Sequence, residues 1–155
     1  MKSVNIFLPA IILLLTYTTF AGNLRAIEGD DIEQTVVNYV KNIDNQNVAE
    51  LNKTILPDAS FSTYNQITNN LENYNSSKFM SMVKDGQIGG WKRNVNVGSV
   101  SVDGNTAVAK LDISDPKILE SGFVTLVKDN GTWKIASQVS NLQLNKQGQA
   151  GATQK

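Results

Sequence analysis

Apolar and polar residues alternate most regularly between Phe123 and Leu144, on both sides of Asp129-Asn130-Gly131. A period of two marks strands whose side chains point to opposite faces. A turn cluster between two such runs predicts a long β-hairpin. The N-terminal part of the chain has the other period. Ile32, Val36, Tyr39, Val40 and Ile43 recur at helical spacing behind the acceptors Asp30 and Asp31, so a helix is predicted from Asp31 to about Asn45. Asn47-Val48-Ala49-Glu50 has the form of a capping box with Asn as the cap, and Val48, Leu51, Ile55 and Leu56 continue a second helix that Pro57 ends. Phe61 and Tyr64 fall in a short strand-like segment. Asn65 to Asn75 is rich in Asn and predicts turns and a weak edge pairing. Ser76 or Ser77 caps a third helix to about Lys84, with Phe79, Met80 and Val83 buried and Asp85-Gly86 as its stop.

The rest of the chain to Leu144 reads as strands. Val95 and Val97 are odd-numbered while Val100 and Val102 are even, so one sheet face accommodates all four only with an extra residue, a β-bulge at Gly98-Ser99. Asp103-Gly104-Asn105 is a hairpin turn, and Ala107, Ala109, Leu111 and Ile113 share one face of the next strand, which Asp115-Pro116 closes. A second slip is expected where Trp133, Ile135 and Val139 give way to Leu142 and Leu144. The order helix, helix, strand, helix, four-strand meander defines an α+β domain in which bulges bend the sheet around the helices.

Composition narrows the chemistry. The 155 residues, 41% of them hydrophobic, are enough for one domain with a real core. Basic and acidic residues number 14 each, so no net field attracts nucleic acid or an anionic membrane, and no nucleic-acid partner is expected. There is no cysteine, which excludes disulfides, thiolate metal sites, a Cys nucleophile and a lipoprotein anchor. There is no histidine either, which removes the usual base near neutral pH and the commonest metal ligand. Lys2 precedes an apolar run from Ile6 to Leu15, which as a helix would rise only about 15 Å against a hydrocarbon core of about 30 Å. Residues 1–21 therefore read as a signal peptide cleaved after Ala21, with Ala26 as the second choice and an uncleaved anchor as the alternative. A secreted or periplasmic location is expected, with no membrane span after cleavage. Residues 22–29 form a short N-terminal segment, 30–145 the domain and 146–155 a disordered Gly/Gln/Ala tail.

A resemblance rests on Tyr39-Val40 with Ile43-Asp44, Leu51, Leu56-Pro57-Asp58-Ala59 with Phe61, Asp103-Gly104-Asn105-Thr106-Ala107, Leu126-Val127-Lys128 and Gly131-Thr132-Trp133-Lys134-Ile135. With these the chain resembles the nuclear transport factor two-like (SnoaL-like) superfamily from Asp31 to Leu144, and it is most similar to the putative lumazine-binding branch. The resemblance implies a cone-shaped α+β barrel, a curved mixed or antiparallel sheet wrapped around an N-terminal helix pair and a third short helix. It also implies a pocket between sheet and first helix, and homodimers through the outer sheet face. Family enzymes such as ketosteroid isomerases combine an aspartate base with a tyrosine and a protonated aspartate. Carried over, the tyrosine matches Tyr39, the base falls near Ser62 or Thr63, and the second acid near Phe123 or Val124. Neither is a carboxylate, and the family's Asp and His pair is impossible without histidine.

Other groups read as ordinary structure. Asp112 and Asp115 belong to a solvated face and a turn, Asp58 to a loop, and Lys78 and Lys84 to the wet side of the third helix. The two Asp/Asn/Gly turns lack the later acid of a calcium loop. Asn52-Lys53-Thr54, Asn75-Ser76-Ser77 and Asn130-Gly131-Thr132 match glycosylation acceptors, relevant only in a eukaryotic secretory pathway. No metal and no cofactor is expected. In the resembling fold the aromatics Tyr39, Phe61, Tyr64, Phe79, Trp91 and Trp133 surround the cone's mouth, so they are the candidate pocket walls, with core packing as the alternative. The functional expectation is a secreted, non-catalytic domain that binds a small, partly apolar ligand or acts by association. A small-metabolite isomerase or lyase and a structural dimerisation module are the alternatives.

Overall fold

The computed structural model describes residues 28–146. The expected signal peptide with its cleavage position, and residues 147–155 of the expected tail, lie outside the described residues.

Helix α1 is in place by residue 28, within the stretch expected to precede the domain, and runs to residue 44. It buries the predicted stripe of Ile32, Val36, Tyr39, Val40 and Ile43. Helix α2, Val48–Thr54, is capped by the Asn47 side chain, which accepts from the Glu50 amide. It ends earlier than its apolar pattern implies. Ile55 is extended, at φ −108° and ψ 138°, and opens strand β1, Ile55–Asn65. Pro57 thus lies inside a strand, where its missing N–H is tolerated because pairing with the neighbouring strand is interrupted between Ile55 and Ser60. The Asn-rich segment supplies an edge strand, β2, Asn70–Asn75. Asn75, one residue earlier than expected, caps helix α3, Ser76–Lys84, by accepting from the Lys78 amide, and Gly86 at φ 70° follows its end.

Four strands complete the chain: β3, Asn94–Asp103; β4, Thr106–Ser114; β5, Ile118–Asp129; and β6, Thr132–Leu144. The β3–β4 register shifts between Val97 and Val100, at the predicted bulge. The opening hairpin turns through Asn130 at φ 49° and Gly131 at φ 79°, both left-handed as a two-residue type I′ turn requires. The second slip differs from expectation. Ile135 pairs with Leu126 and Ser137 with Thr125, so Ala136 is the extra residue. Beyond it Gln138 and Ser140 turn inward, while Val139, expected beside Trp133 and Ile135, points out and is 60% exposed.

The six strands form one mixed, curved, unclosed sheet in the order β2-β1-β6-β5-β4-β3. Only β1 and β6 run parallel, and that pairing joins the N-terminal half of the sheet to the meander. The inner face carries Phe61, Ala107, Ala109, Leu111, Ile113, Val124, Leu126, Trp133 and Ile135 in one core with α1, α2 and α3. Among the described residues no helix is long and apolar enough to cross a membrane.

Candidate functional site

A cavity of about 250 Å³ opens between the inner sheet face and the helices. Its aromatic wall is built from three elements. Phe61 of β1 stacks on Phe79 of α3 with ring centroids 4.0 Å apart and planes at 14°, and Tyr39 of α1 stands 6.4 Å from Phe61 and 6.3 Å from Phe79. Trp91, half exposed in the loop before β3, lines the same cavity. Its indole nitrogen donates to Asp115 Oδ2 at 2.7 Å, and Asp115 is itself fixed by accepting from the Lys117 and Ile118 amides. Burial tends to raise the Asp115 pKa, but those amides, the indole and the Arg93 charge together hold it below the usual carboxylate value.

Tyr64 and Trp133 do not line this cavity. Period two turns Tyr64 outward, where its hydroxyl donates to Asn69. Trp133 is buried in the core with Lys128 over its ring. Of the two positions matched to the family base, Thr63 faces the cavity and Ser62 points away toward Asn73. Phe123 is outward-facing and Val124 packs in the core.

The polar wall was not anticipated. Glu120 lies three residues before Phe123 on β5 and faces the cavity. Its Oε1 accepts from Gln138 Nε2 at 2.8 Å and from the Ser140 hydroxyl at 2.7 Å. A carboxylate only accepts, so the amide presents nitrogen to Glu120 and leaves Oε1 to receive the Tyr39 hydroxyl at 2.8 Å. Ser140 has already donated its single hydrogen, so Thr63, 2.9 Å away, is the donor to it. Tyr39, Gln138, Glu120, Ser140 and Thr63 thus form one network across four elements, in which two donor arms converge on Glu120. Gly122 permits it: a Cβ there would stand 2.2 Å from the Val139 carbonyl oxygen, so glycine lets β6 approach close enough for Ser140 to reach Glu120. Burial first, then the charge of Glu120, drives the Tyr39 pKa well above the ordinary phenol value, and Arg93 only partly opposes this.

Two further charges line the cavity. Glu72 of β2 accepts from Asn65 and from the Tyr74 hydroxyl. Arg93 pairs with Asp44 at 2.6 Å through Nε, and its amide donates to the other carboxylate oxygen at 3.0 Å; the two side chains are 5% and 8% exposed. Arg93 Nη2 is buried and has no partner among the described residues. Elsewhere, Asp112 lies on the outer sheet face with Lys110 and Ser121, and hydrogen bonds from these two lower its pKa. Among the described residues no three acidic side chains gather as a metal site.

The alternation that revealed Ala107 to Ile113 also held the signal for Glu120, because Glu120, Gly122, Val124 and Leu126 share a parity and hence a face. Glu72 shares one with Tyr74 in the same way. Arg93 carries no such signal, since it precedes β3 and is placed by Asp44 of α1.

Residues 28–140 match the model of the family described as putative lumazine-binding. The chain belongs to that family, and its fold is that of nuclear transport factor two-like proteins. No curated protein matches it. Among solved structures it is similar to an NTF-2-like protein of unknown function from Silicibacter pomeroyi, with TM-score 0.67 and 19% identity over 78% of this chain and 98% of that one. A comparable protein from Shewanella baltica gives 0.65 and 14% over 76% and 95%. A protein with a cystatin-like fold from Novosphingobium aromaticivorans gives 0.60 and 15% over 89% and 96%. At such identities these likenesses bear on the fold alone.

Proposed function

We propose that the protein is an exported, non-catalytic domain that holds a small, flat, partly apolar molecule in the cavity between α1, α3 and the inner sheet face. The stacked Tyr39, Phe61 and Phe79 beside about 250 Å³ of space carry this reading. Such a wall offers a ring apolar contact and stacking, and a few convergent polar groups orient it. The family's description as putative lumazine-binding also favours a small ligand. Export rests on the leader-like residues 1–21, and self-association on the apolar side chains of the outer sheet face. Native mass spectrometry of the purified protein tests the binding reading: a retained small molecule released on denaturation supports it. A ligand-free protein whose cavity side chains show no NMR response to any aromatic probe defeats it.

A second reading is favoured by Glu120, a carboxylate on the cavity wall joined to Tyr39 through Gln138. A carboxylate there is what an isomerase or lyase would need for proton transfer at a carbon next to a carbonyl. Its test is deuterium uptake by an enolisable cyclic ketone in heavy water. Catalysed exchange that Glu120→Gln abolishes would establish it, and exchange at the buffer rate would end it.

A further inference from the structure

The cavity wall leaves two complementary hydrogen-bonding groups unfilled. Arg93 Nη2 is a donor, buried and unpartnered among the described residues. Glu120 uses Oε1 for both Gln138 and Ser140, so Oε2 remains an acceptor with no donor among them. Arg93 and Glu120 line the same cavity, with Tyr39 and Gln138 on its wall as well.

Charge bookkeeping then selects among ligands. Asp44 already neutralises Arg93, and Glu72 and Glu120 also line the cavity, so an anion would meet two carboxylates with no free countercharge. A cation would satisfy Glu120 but leave the Arg93 donor unmet, and it would have to shed its own hydration to enter. A neutral edge with both a carbonyl oxygen and an N–H meets both groups and brings no charge. We infer that the cavity selects an uncharged, planar ligand bearing an amide-like edge, whose C=O accepts from Arg93 and whose N–H donates to Glu120. This rests on the binding reading above and adds the chemical class of the ligand.

Four probes of one ring size separate the possibilities: toluene, benzamide, benzoate and benzylamine, each titrated into the full chain and followed by NMR at the Gln138 side-chain amide and the Arg93 Nε–H. Benzamide is expected to bind at least about tenfold more tightly than the other three, the factor that an unmet buried hydrogen-bonding group costs. In Glu120→Gln, an isosteric change that removes one cavity charge, the preference for benzamide over benzoate is expected to shrink about tenfold. Benzoate or benzylamine equalling benzamide in the unaltered protein overturns the proposal, as does an unchanged ratio in the variant. Toluene binding as well as benzamide leaves the cavity reading intact and removes this one. Silence from all four removes both.

Discussion

The hydroxyl of Tyr39 donates to Oε1 of Gln138 across 2.8 Å and 99 positions of sequence, tying the first helix to the last strand inside the cavity wall. Tyr39→Phe removes the donor and leaves a buried amide oxygen unmet, so it should cost about 1–2 kcal/mol in denaturant unfolding. The pH dependence has a definite sign. The phenol pKa is raised in the folded state, so the contribution of Tyr39 is complete below the unfolded value of about 10 and is lost as pH rises above it. The wild-type protein should lose stability from pH 10 upward more steeply than Tyr39→Phe, as urea midpoints would show.

The Arg93–Asp44 pair is nearly removed from solvent, so breaking it strands a charge. Asp44→Ala should cost about 3–5 kcal/mol. The exposed Lys53–Glu50 pair on α2 is the control: Glu50→Gln should cost no more than about 0.5 kcal/mol. Equal effects from the two changes would contradict the burial argument.

Gly89 sits at φ 76° against α1, and a Cβ there would stand 2.2 Å from the carbonyl oxygen of Ile43. The obstacle is backbone, so no side-chain rotation relieves it. Gly89→Ala should lower stability by more than about 2 kcal/mol, whereas Gly104→Ala, with open space around its Cβ, should cost only the strain of its turn. Thermal unfolding of the two variants compares them directly.

Trp91 is held at the cavity by its bond to Asp115. Asp115→Asn should free the indole and shift its fluorescence to the red, and should cost about 1 kcal/mol through weaker capping of the Lys117 and Ile118 amides. The Asp115 pKa is lowered in the fold, so its contribution is present above the unfolded value near 3.9 and is lost as pH falls through the folded one. In the wild-type protein the same fluorescence shift should therefore appear only in acid, below pH 4.

On the outer sheet face Phe123 and Val139 are directly paired across β5 and β6, 53% and 60% exposed. If the protein associates through this face, Val139→Lys should reduce the solution mass to that of one chain by light scattering while changing stability by no more than about 0.5 kcal/mol. An unchanged mass would place any association elsewhere.

Much of the fold was legible because it is local. The bulge at Gly98-Ser99 followed from the parity of four valines, the Asn47 cap from its neighbours, and the turn at Asn130-Gly131 from residue types that accept positive φ. The errors occurred where tertiary pairing outweighed local pattern. Ile55 and Leu56 continue a helical stripe, yet both lie in β1, where Ile55 pairs in parallel with Ile135 of β6. The second slip falls at Ala136, because only the partner positions Leu126 and Thr125 show where the ladder loses step.

The cavity divides in the same way. Residue order alone set the α+β class, the family and three aromatics, Tyr39, Phe61 and Phe79, on inward faces, since hydrophobic period and turn chemistry act over a few residues. Only the tertiary structure joined Glu120 to Tyr39 through Gln138, buried Arg93 against Asp44, and turned Tyr64 and Trp133 away from the cavity. Those outcomes depend on contacts between groups tens of residues apart, and burial assigns a charge its partner only once the strands and helices have closed around it.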